Sequence, residues 1–163
     1  MYDELTQADL DKMNEELEYR ILTLRPQILE EVKFTRSFGD LSENAEYHEA
    51  KRNKGRNESR IRYLKNMIRT AKVISADSAD DEVGLNDAVT FKVVESGAEM
   101  TVGIVTTFGH DSLKHIISKE SPVGIALLGK KVGETALVSV NAELSYHAEV
   151  LAIRKGKATE VGE

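Results

Sequence analysis

Residues 10–32 read LDKMNEELEYRILTLRPQILEEV, and apolar side chains recur in this stretch at steps of three and four. That spacing places them on one face of an α-helix. The residues of this face are Leu10, Met13, Leu17, Ile21, Leu24, Ile28 and Val32. The sequence therefore predicts a long amphipathic helix that buries one face against a partner.

A second helix follows a turn. The apolar spacing loses its phase at Phe38-Gly39-Asp40, a typical turn sequence, and Ser42 is a plausible N-cap for the next helix. Since the connection is short, the two helices must run antiparallel as a hairpin. The apolar face of the second helix is clear at its far end and poor towards the turn, so we expect the outer half of the hairpin to be weakly packed. The face consists of Ile68, Leu64 and Ile61, followed towards the turn by Asn57, Lys54, Ala50 and Tyr47.

Two residues should disturb the regular helices. Pro26 removes a backbone hydrogen bond inside the first helix and should bend it. Gly55 costs about 1 kcal/mol relative to alanine in a helix interior. In an antiparallel hairpin with this turn, two residues face each other when their residue numbers add up to about 82. Gly55 should therefore lie near Pro26, which suggests a close approach of the two backbones. The alternative is that Gly55 is merely tolerated.

The second half of the chain has the pattern of a small mixed domain. Short apolar or alternating runs predict about five strands, and Ser121 and Pro122 should open a short helix that Gly129 closes. The predicted fold class is α+β: an antiparallel helical hairpin over residues 1–75, with its tip near 39–48, and an α+β domain over 76–163. Residues 76–87 read as an acidic linker, and a polar tail should follow about residue 155. The runs are 89–94, 100–106, 114–117, 136–140 and 146–153.

Composition excludes several classes of protein. The chain has no cysteine, which excludes disulfides, thiol nucleophiles and cysteine-ligated zinc. Its acidic start lacks the apolar core of a secretory signal, and no apolar run is long enough to cross a bilayer. We therefore expect a soluble, cytoplasmic protein without a membrane partner, and a monomer.

The net charge of −6 hides separate acidic and basic stretches. Residues 1–20 contain 2 basic and 7 acidic side chains, whereas residues 51–72 contain 9 and 1. Lys51 and Arg52 could pair with Glu31 and Glu30 across the hairpin; such exposed pairs contribute about 0–1 kcal/mol each. Arg56, Arg60 and Arg62 should instead lie near Arg20 and Arg25, with Glu58 as the nearest counter-charge. This surplus of positive charge should attract phosphate.

The turn itself carries two carboxylates, Asp40 and Glu43. The two residues are three positions apart at the start of a helix, so both side chains can point the same way. Two carboxylates do not enclose Mg²⁺, which needs six oxygen ligands, but they could add ligands to an ion held by a partner. The alternative is that Asp40 only favours the turn and Glu43 only favours the helix N-terminus.

Residues 39–51, GDLSENAEYHEAK, strongly resemble the tip motif of the bacterial Gre transcript cleavage factors. RPQI at 25–28, AKVIS at 71–75 and SPVGIALLGKKVGE at 121–134 resemble other segments of that family, in the same order and at the same spacing. The resemblance thus extends along the whole chain. It implies an N-terminal coiled coil and a C-terminal domain of the FKBP-like fold.

The resemblance also implies a function. Gre factors insert the coiled coil into the secondary channel of RNA polymerase and stimulate cleavage of backtracked RNA by the polymerase itself, so the chain is expected to be no enzyme alone. Asp40 and Glu43 match the acids that hold a Mg²⁺ shared with the polymerase, an ion not stably bound by the factor alone. Lys51 and Arg52 match the basic region that contacts the 3′ end of the nascent RNA. The basic stretch that continues to Arg56 and Arg60 suggests a stronger hold on longer backtracked RNA.

Two other hypotheses remain open. A non-cleaving relative could occupy the same channel and inhibit transcription, although Asp40 and Glu43 argue against it. A general coiled-coil interaction module would need neither acid.

Overall fold

The structure is a computed structural model that describes residues 3–39 and 44–161. By contacts the chain divides into two units, one that contains residues 7–72 and one that contains residues 4–6 with everything from residue 73 onward. The first is a helical hairpin and the second is built on a five-stranded sheet. The predicted α+β class is confirmed.

The hairpin consists of α1 (Gln7–Tyr19), a π-helical turn (Arg20–Leu24) and α2 (Arg25–Arg36), which pack against α3 (Ala45–Thr70). The predicted apolar faces are confirmed: Met13 on α1 and Leu64 on α3 have no exposed surface. The inner half of this face on α3 also includes Met67, which the spacing did not single out.

The outer half of the hairpin is better packed than the sequence predicted. Tyr47 and Ala50 of α3 are buried and form an apolar cluster with Ile28 and Val32 of α2, against which Leu24 packs. The expectation of a weakly packed outer half is wrong, because a tyrosine ring and a small alanine together fill the space between the helices there.

The first helix is interrupted close to Pro26, whereas Gly55 does not mark a close approach of the helices. Pro26 occupies the first turn of α2, directly after the π-helical turn, where the Arg25 N–H donates to the Arg20 carbonyl oxygen. The first helix is thus interrupted by an i→i+5 turn before the proline. A Cβ added to Gly55 would meet nothing within 4 Å, so the predicted close approach of the backbones at Gly55 is wrong and this glycine is merely tolerated.

The second unit contains a mixed five-stranded sheet. Its strands are β3 (Ala88–Val93), β4 (Glu99–Val105), β5 (Ile116–Ser118), β6 (Thr135–Ser139) and β7 (Ser145–Arg154), in the order β5-β4-β3-β7-β6. β4 and β5 are parallel and the other pairs are antiparallel. Two further short strands, β1 (Glu4–Leu5) and β2 (Lys72–Val73), pair with each other. The five strands predicted from the apolar runs are confirmed within one or two residues at each end.

One short helix, α4 (Pro122–Leu127), packs on the sheet. Ser121 caps it by accepting a hydrogen bond from the Gly124 N–H at 3.1 Å, and Gly129 follows it with φ of +81°. Both predicted helix signals are confirmed. Leu127 packs in the core with apolar residues of the sheet: Val89, Phe91, Val102, Ile104, Val138, Ala148 and Val150.

The segments at both ends of this unit are more ordered than their composition suggested. In the acidic stretch 76–87, Val83 belongs to the apolar core and Asp87 is buried. Ala158 is also buried and packs against Val105 and Ile116, where a polar tail was expected. In each case one or two small or apolar side chains anchor a largely polar segment.

Candidate functional site at the tip of the hairpin

The helix that follows the tip begins at Asn44. Its side-chain oxygen accepts a hydrogen bond from the Tyr47 N–H at 3.0 Å, which is the geometry of an N-cap. Its side-chain amide donates to the carbonyl oxygen of Thr35 at 2.7 Å. The cap is therefore Asn44 rather than Ser42. Sequence reasoning missed Asn44, which lies two residues after the predicted cap and also reaches the other helix.

Thr35 provides a fixed acceptor for Asn44. It is buried, and its hydroxyl donates to the Glu31 carbonyl oxygen at 2.9 Å. The chain then leaves α2 through Ser37 and reaches Gly39, whose φ of +103° favours glycine. The predicted site residues Asp40 and Glu43 lie outside the described residues. Immediately after them, Asn44 is held by its hydrogen bonds to Thr35 and Tyr47.

Tyr47 places two cations near the tip. The Arg36 guanidinium donates to the Tyr47 hydroxyl at 3.4 Å, and this hydrogen bond lowers the pKa of the phenol. The Arg36 guanidinium and the Lys51 ammonium lie 5.7 and 5.4 Å from the centre of the Tyr47 ring. Both distances are within the range of cation–π attraction. The buried ring thus lies close to two exposed cations, one from each helix of the hairpin.

The next basic residues pair within α3. The Arg52 guanidinium donates to Glu49 at 2.7 and 3.0 Å, and this bond lowers the pKa of the Glu49 carboxyl. Arg56 lies 3.5 Å from Glu49 and 3.1 Å from the Asn53 side-chain oxygen. The expected pairing of Arg52 with Glu30 is wrong, because Glu49 lies one turn away on the same helix.

Arg60, the last of the predicted RNA-contacting residues, belongs to a network across the hairpin. It donates to both oxygens of Glu16, at 2.8 and 3.1 Å. Arg20 donates to Glu16 at 2.8 Å and to the buried Asn57 at 3.0 Å. The Arg60 hydrogen bond is the main cause that lowers the pKa of Glu16. Sequence reasoning missed Glu16, which is 44 residues from Arg60 and carries no local signal.

The predicted surplus of positive charge in the middle of the hairpin is reduced but remains, because Arg20 and Arg60 share the single carboxylate of Glu16 and, among the described residues, the Arg62 guanidinium donates only to the Ser59 hydroxyl. Arg25 forms two hydrogen bonds to Glu58, at 2.8 and 2.9 Å, which confirms Glu58 as its counter-charge. Nearer the tip, Lys51 and Arg36 lie against the Tyr47 ring, and neither forms an ion pair within residues 3–39 and 44–161.

Over residues 3–39 and 44–161, no group of three or more His, Cys, Asp or Glu side chains could hold a metal ion. Within the same residues no helix has both the length and the apolar character to cross a bilayer.

Comparison with known families covers both units. A family model described as "Transcription elongation factor, N-terminal" matches residues 4–73, and one described as "Transcription elongation factor, GreA/GreB, C-term" matches residues 77–155. The chain belongs to the GreA/GreB family of transcription elongation factors. The resemblance inferred from residues 39–51 is confirmed, since the GreA/GreB matches extend over both the hairpin and the sheet.

Individual GreA relatives agree over nearly the whole length. The chain is 42% identical to transcription elongation factor GreA of Leuconostoc mesenteroides over 152 residues, which are 93% of this chain and 95% of that protein. It is 39% identical to GreA of Streptococcus sanguinis over 93% of this chain and 94% of that protein. Among solved structures, GreA factor homolog 1 of Thermus thermophilus is 24% identical, with a TM-score of 0.44 over 94% of this chain and 99% of that one.

Proposed function

We propose that this GreA/GreB family member inserts its hairpin into the secondary channel of RNA polymerase and stimulates the polymerase to cleave backtracked RNA. The observation that carries the proposal is the 39–51 motif at the tip of a hairpin in a chain that matches the family over both units. The cleaved 3′ end leaves, and synthesis resumes from the new end.

Asp40 and Glu43 act together at the tip. Their carboxylate oxygens are ligands that Mg²⁺ prefers, and two such groups leave most of its six positions to be filled by others. They therefore complete a site with ligands from the polymerase and the RNA. Held by Asp40 and Glu43 together with these ligands, a Mg²⁺ would supply charge stabilisation for the attacking and leaving oxygens of phosphodiester hydrolysis. Asp40 and Glu43 also orient the attacking water.

The packing of the hairpin supports this role. The Asn44–Thr35 hydrogen bond joins the last turn of α2 to the start of α3. The cluster of Ile28, Val32, Tyr47 and Ala50 fills the space between them close to the loop. A rigid support of this kind restricts where the two carboxylates can lie, as positioning for catalysis requires.

The basic residues near the tip contact the RNA. Lys51, held over the Tyr47 ring, together with Arg52 and Arg56, presents positive charge to the phosphates of the 3′ segment. Arg60 has a different role in the free protein, since both oxygens of Glu16 occupy its guanidinium. Charge reversal at Lys51 and Arg56 should reduce cleavage and make it less sensitive to salt, whereas reversal at the exposed Arg62 should not.

The test compares Asp40→Asn and Glu43→Gln with Glu46→Gln, a matched control at the next acid along the chain. Each protein is added with Mg²⁺ to a halted, backtracked polymerase complex. Both site variants should bind the polymerase and fold normally but cleave at least about 100-fold more slowly, the scale for loss of an electrostatic stabiliser. The control should cleave normally. Normal cleavage by either site variant contradicts the assignment.

The same assay separates the alternatives. Blocked elongation without shortened RNA would identify an inhibitor of the polymerase that occupies the channel. No effect on either elongation or RNA length would leave only a general interaction module.

A further inference from the structure

One flank of the first helix exposes two leucines. Ile21 and Ile28 point towards the interior of the hairpin, and Ile28 is only 8% exposed. The residue after each is rotated in the same sense around the axis, by about 100° in α2 at Ile28 and by somewhat less in the π-helical turn at Ile21. Leu22 and Leu29 therefore point to the same flank, where they are 66% and 45% exposed.

Opposite charges border this pair of leucines. Glu18 follows the half-buried Leu17, and Lys33 follows the buried Val32, so both lie on the flank of Leu22 and Leu29. Both charged side chains are exposed, and over the described ranges 3–39 and 44–161 neither has an ion-pair partner. The flank thus carries an acid, two leucines and a base, at successive spacings of four, seven and four residues.

This flank is complementary in charge to a second copy of itself that runs in the opposite direction. If two copies lie antiparallel about a two-fold axis near residues 25 and 26, Glu18 of each copy faces Lys33 of the other. Leu22 of each copy then faces Leu29 of the other. Every contact occurs twice, as in any isologous interface. Arg25 lies near the axis, where its charge is balanced by Glu58 of the same chain.

A shallow cavity provides room for the leucine of the second copy. It has a volume of about 300 Å³ and is lined by Glu15, Glu18, Tyr19, Leu22 and Thr23. Tyr19 is itself half exposed and widens the apolar surface beside Leu22. Acidic groups at its edge suit the lysine that lies four residues beyond Leu29.

We propose that this flank, defined by Glu18, Leu22, Leu29 and Lys33, is a self-association surface whose partner is a second copy of the chain in antiparallel orientation. The contact involves few apolar residues, so the dimer is weak and transient. A partner on this flank widens the hairpin. If the hairpin enters the polymerase channel as proposed above, self-association competes with that entry. At high concentration, part of the protein is then dimeric and does not enter the channel.

Sedimentation velocity of the full chain over a wide concentration range tests the surface. Glu18→Lys and Lys33→Glu each replace attraction by repulsion at two symmetry-related places, and each should raise the dissociation constant about tenfold. The double variant, Glu18→Lys with Lys33→Glu, reverses both charges and should restore association. Glu143→Lys, an exposed acid of the sheet unit, is the matched control and should change nothing.

Leu22→Gln supplies a second measurement, with Leu113→Gln as its control because Leu113 is 93% exposed in the other unit. Leu22→Gln should weaken association and Leu113→Gln should not. A chain that stays monomeric throughout the range overturns the proposal, as does a double charge variant that associates no better than the single ones. The measurement uses the free protein, so its outcome is independent of whether the tip acids promote RNA cleavage.

Discussion

The side-chain amide of Asn44 donates a 2.7 Å hydrogen bond to the carbonyl oxygen of Thr35, while its side-chain oxygen caps α3 through the Tyr47 N–H. One residue thus begins a helix and joins it to the preceding one. This connection lies next in sequence to the segment that contains Asp40 and Glu43.

Asn44→Ala should lower the free energy of unfolding by about 1–2 kcal/mol, because it removes an N-cap and leaves the Thr35 carbonyl without its donor. Chemical denaturation measures this change. Asn66→Ala is the control: Asn66 is an exposed residue of the same helix that accepts from Arg69, and its loss should cost no more than about 0.5 kcal/mol. Equal effects of the two substitutions would contradict the role of Asn44.

Asn44→Asp separates the two functions of this residue. Aspartate keeps the acceptor that caps α3 but has no N–H for Thr35. If the connection to Thr35 positions the tip acids, Asn44→Asp should fold well yet slow RNA cleavage. Cleavage at the normal rate by a folded Asn44→Asp protein would show that the cap alone is sufficient.

Glu16 should make stability depend on pH. Hydrogen bonding to Arg60 holds the pKa of Glu16 below its ordinary value of 4.5. The unfolded chain therefore binds the proton more readily, and the stabilisation is fully present above about pH 5 and lost as the pH falls through the folded-state pKa. Glu16→Gln should be less stable at neutral pH and should lose less stability between about pH 5 and pH 3. Parallel stability curves for the two proteins would exclude this contribution.

Lys155 and the buried Asp87 form a polar centre in the sheet unit. The Lys155 ammonium lies 2.6 Å from the Asp87 carboxylate and also donates to Ser78 and to the carbonyl oxygens of Ala79 and Glu82. Lys155→Met should lower the free energy of unfolding by about 3–5 kcal/mol, because it leaves a buried carboxylate without its cation.

A second change tests the cause of that loss. Adding Asp87→Asn to Lys155→Met removes the unpaired charge and should recover part of the stability, as thermal unfolding can show. Lys157→Met is the control, since its partner Glu160 is exposed. If Lys157→Met were as harmful as Lys155→Met, burial of Asp87 would not be the reason.

Substitution by alanine should change the free energy of unfolding in opposite directions at two glycines. At Gly55 the added Cβ meets open space within a helix, so Gly55→Ala should raise the free energy of unfolding by about 0.5–1 kcal/mol. At Gly103 the Cβ would lie 2.0 Å from the Ala158 carbonyl oxygen. Gly103→Ala should therefore destabilise the protein by about 1–3 kcal/mol, or displace the 158–160 turn from the sheet. Destabilisation by Gly55→Ala would restore the idea of a close backbone approach there.

The sequence by itself determined the elements and their order. The three-and-four spacing from Leu10 to Val32 fixed the inner face of the first helix, alternating runs located the strands, and Ser121 with Pro122 marked the start of α4. These signals are local, because helix and strand periodicity and N-capping act between residues a few positions apart. The 39–51 motif also indicated the family from sequence alone.

Only the tertiary structure decided which residues meet across the hairpin. A helix repeats its pattern every turn, so the sequence permits several registers, and a shift of one turn exchanges one charged partner for another. The structure pairs Arg60 with Glu16, lets Asn44 rather than Ser42 cap α3, and packs Tyr47 and Ala50 where a weak outer half was expected. Contacts between residues far apart in the chain depend on how the two helices pack along their whole length. A short stretch of sequence does not determine that packing.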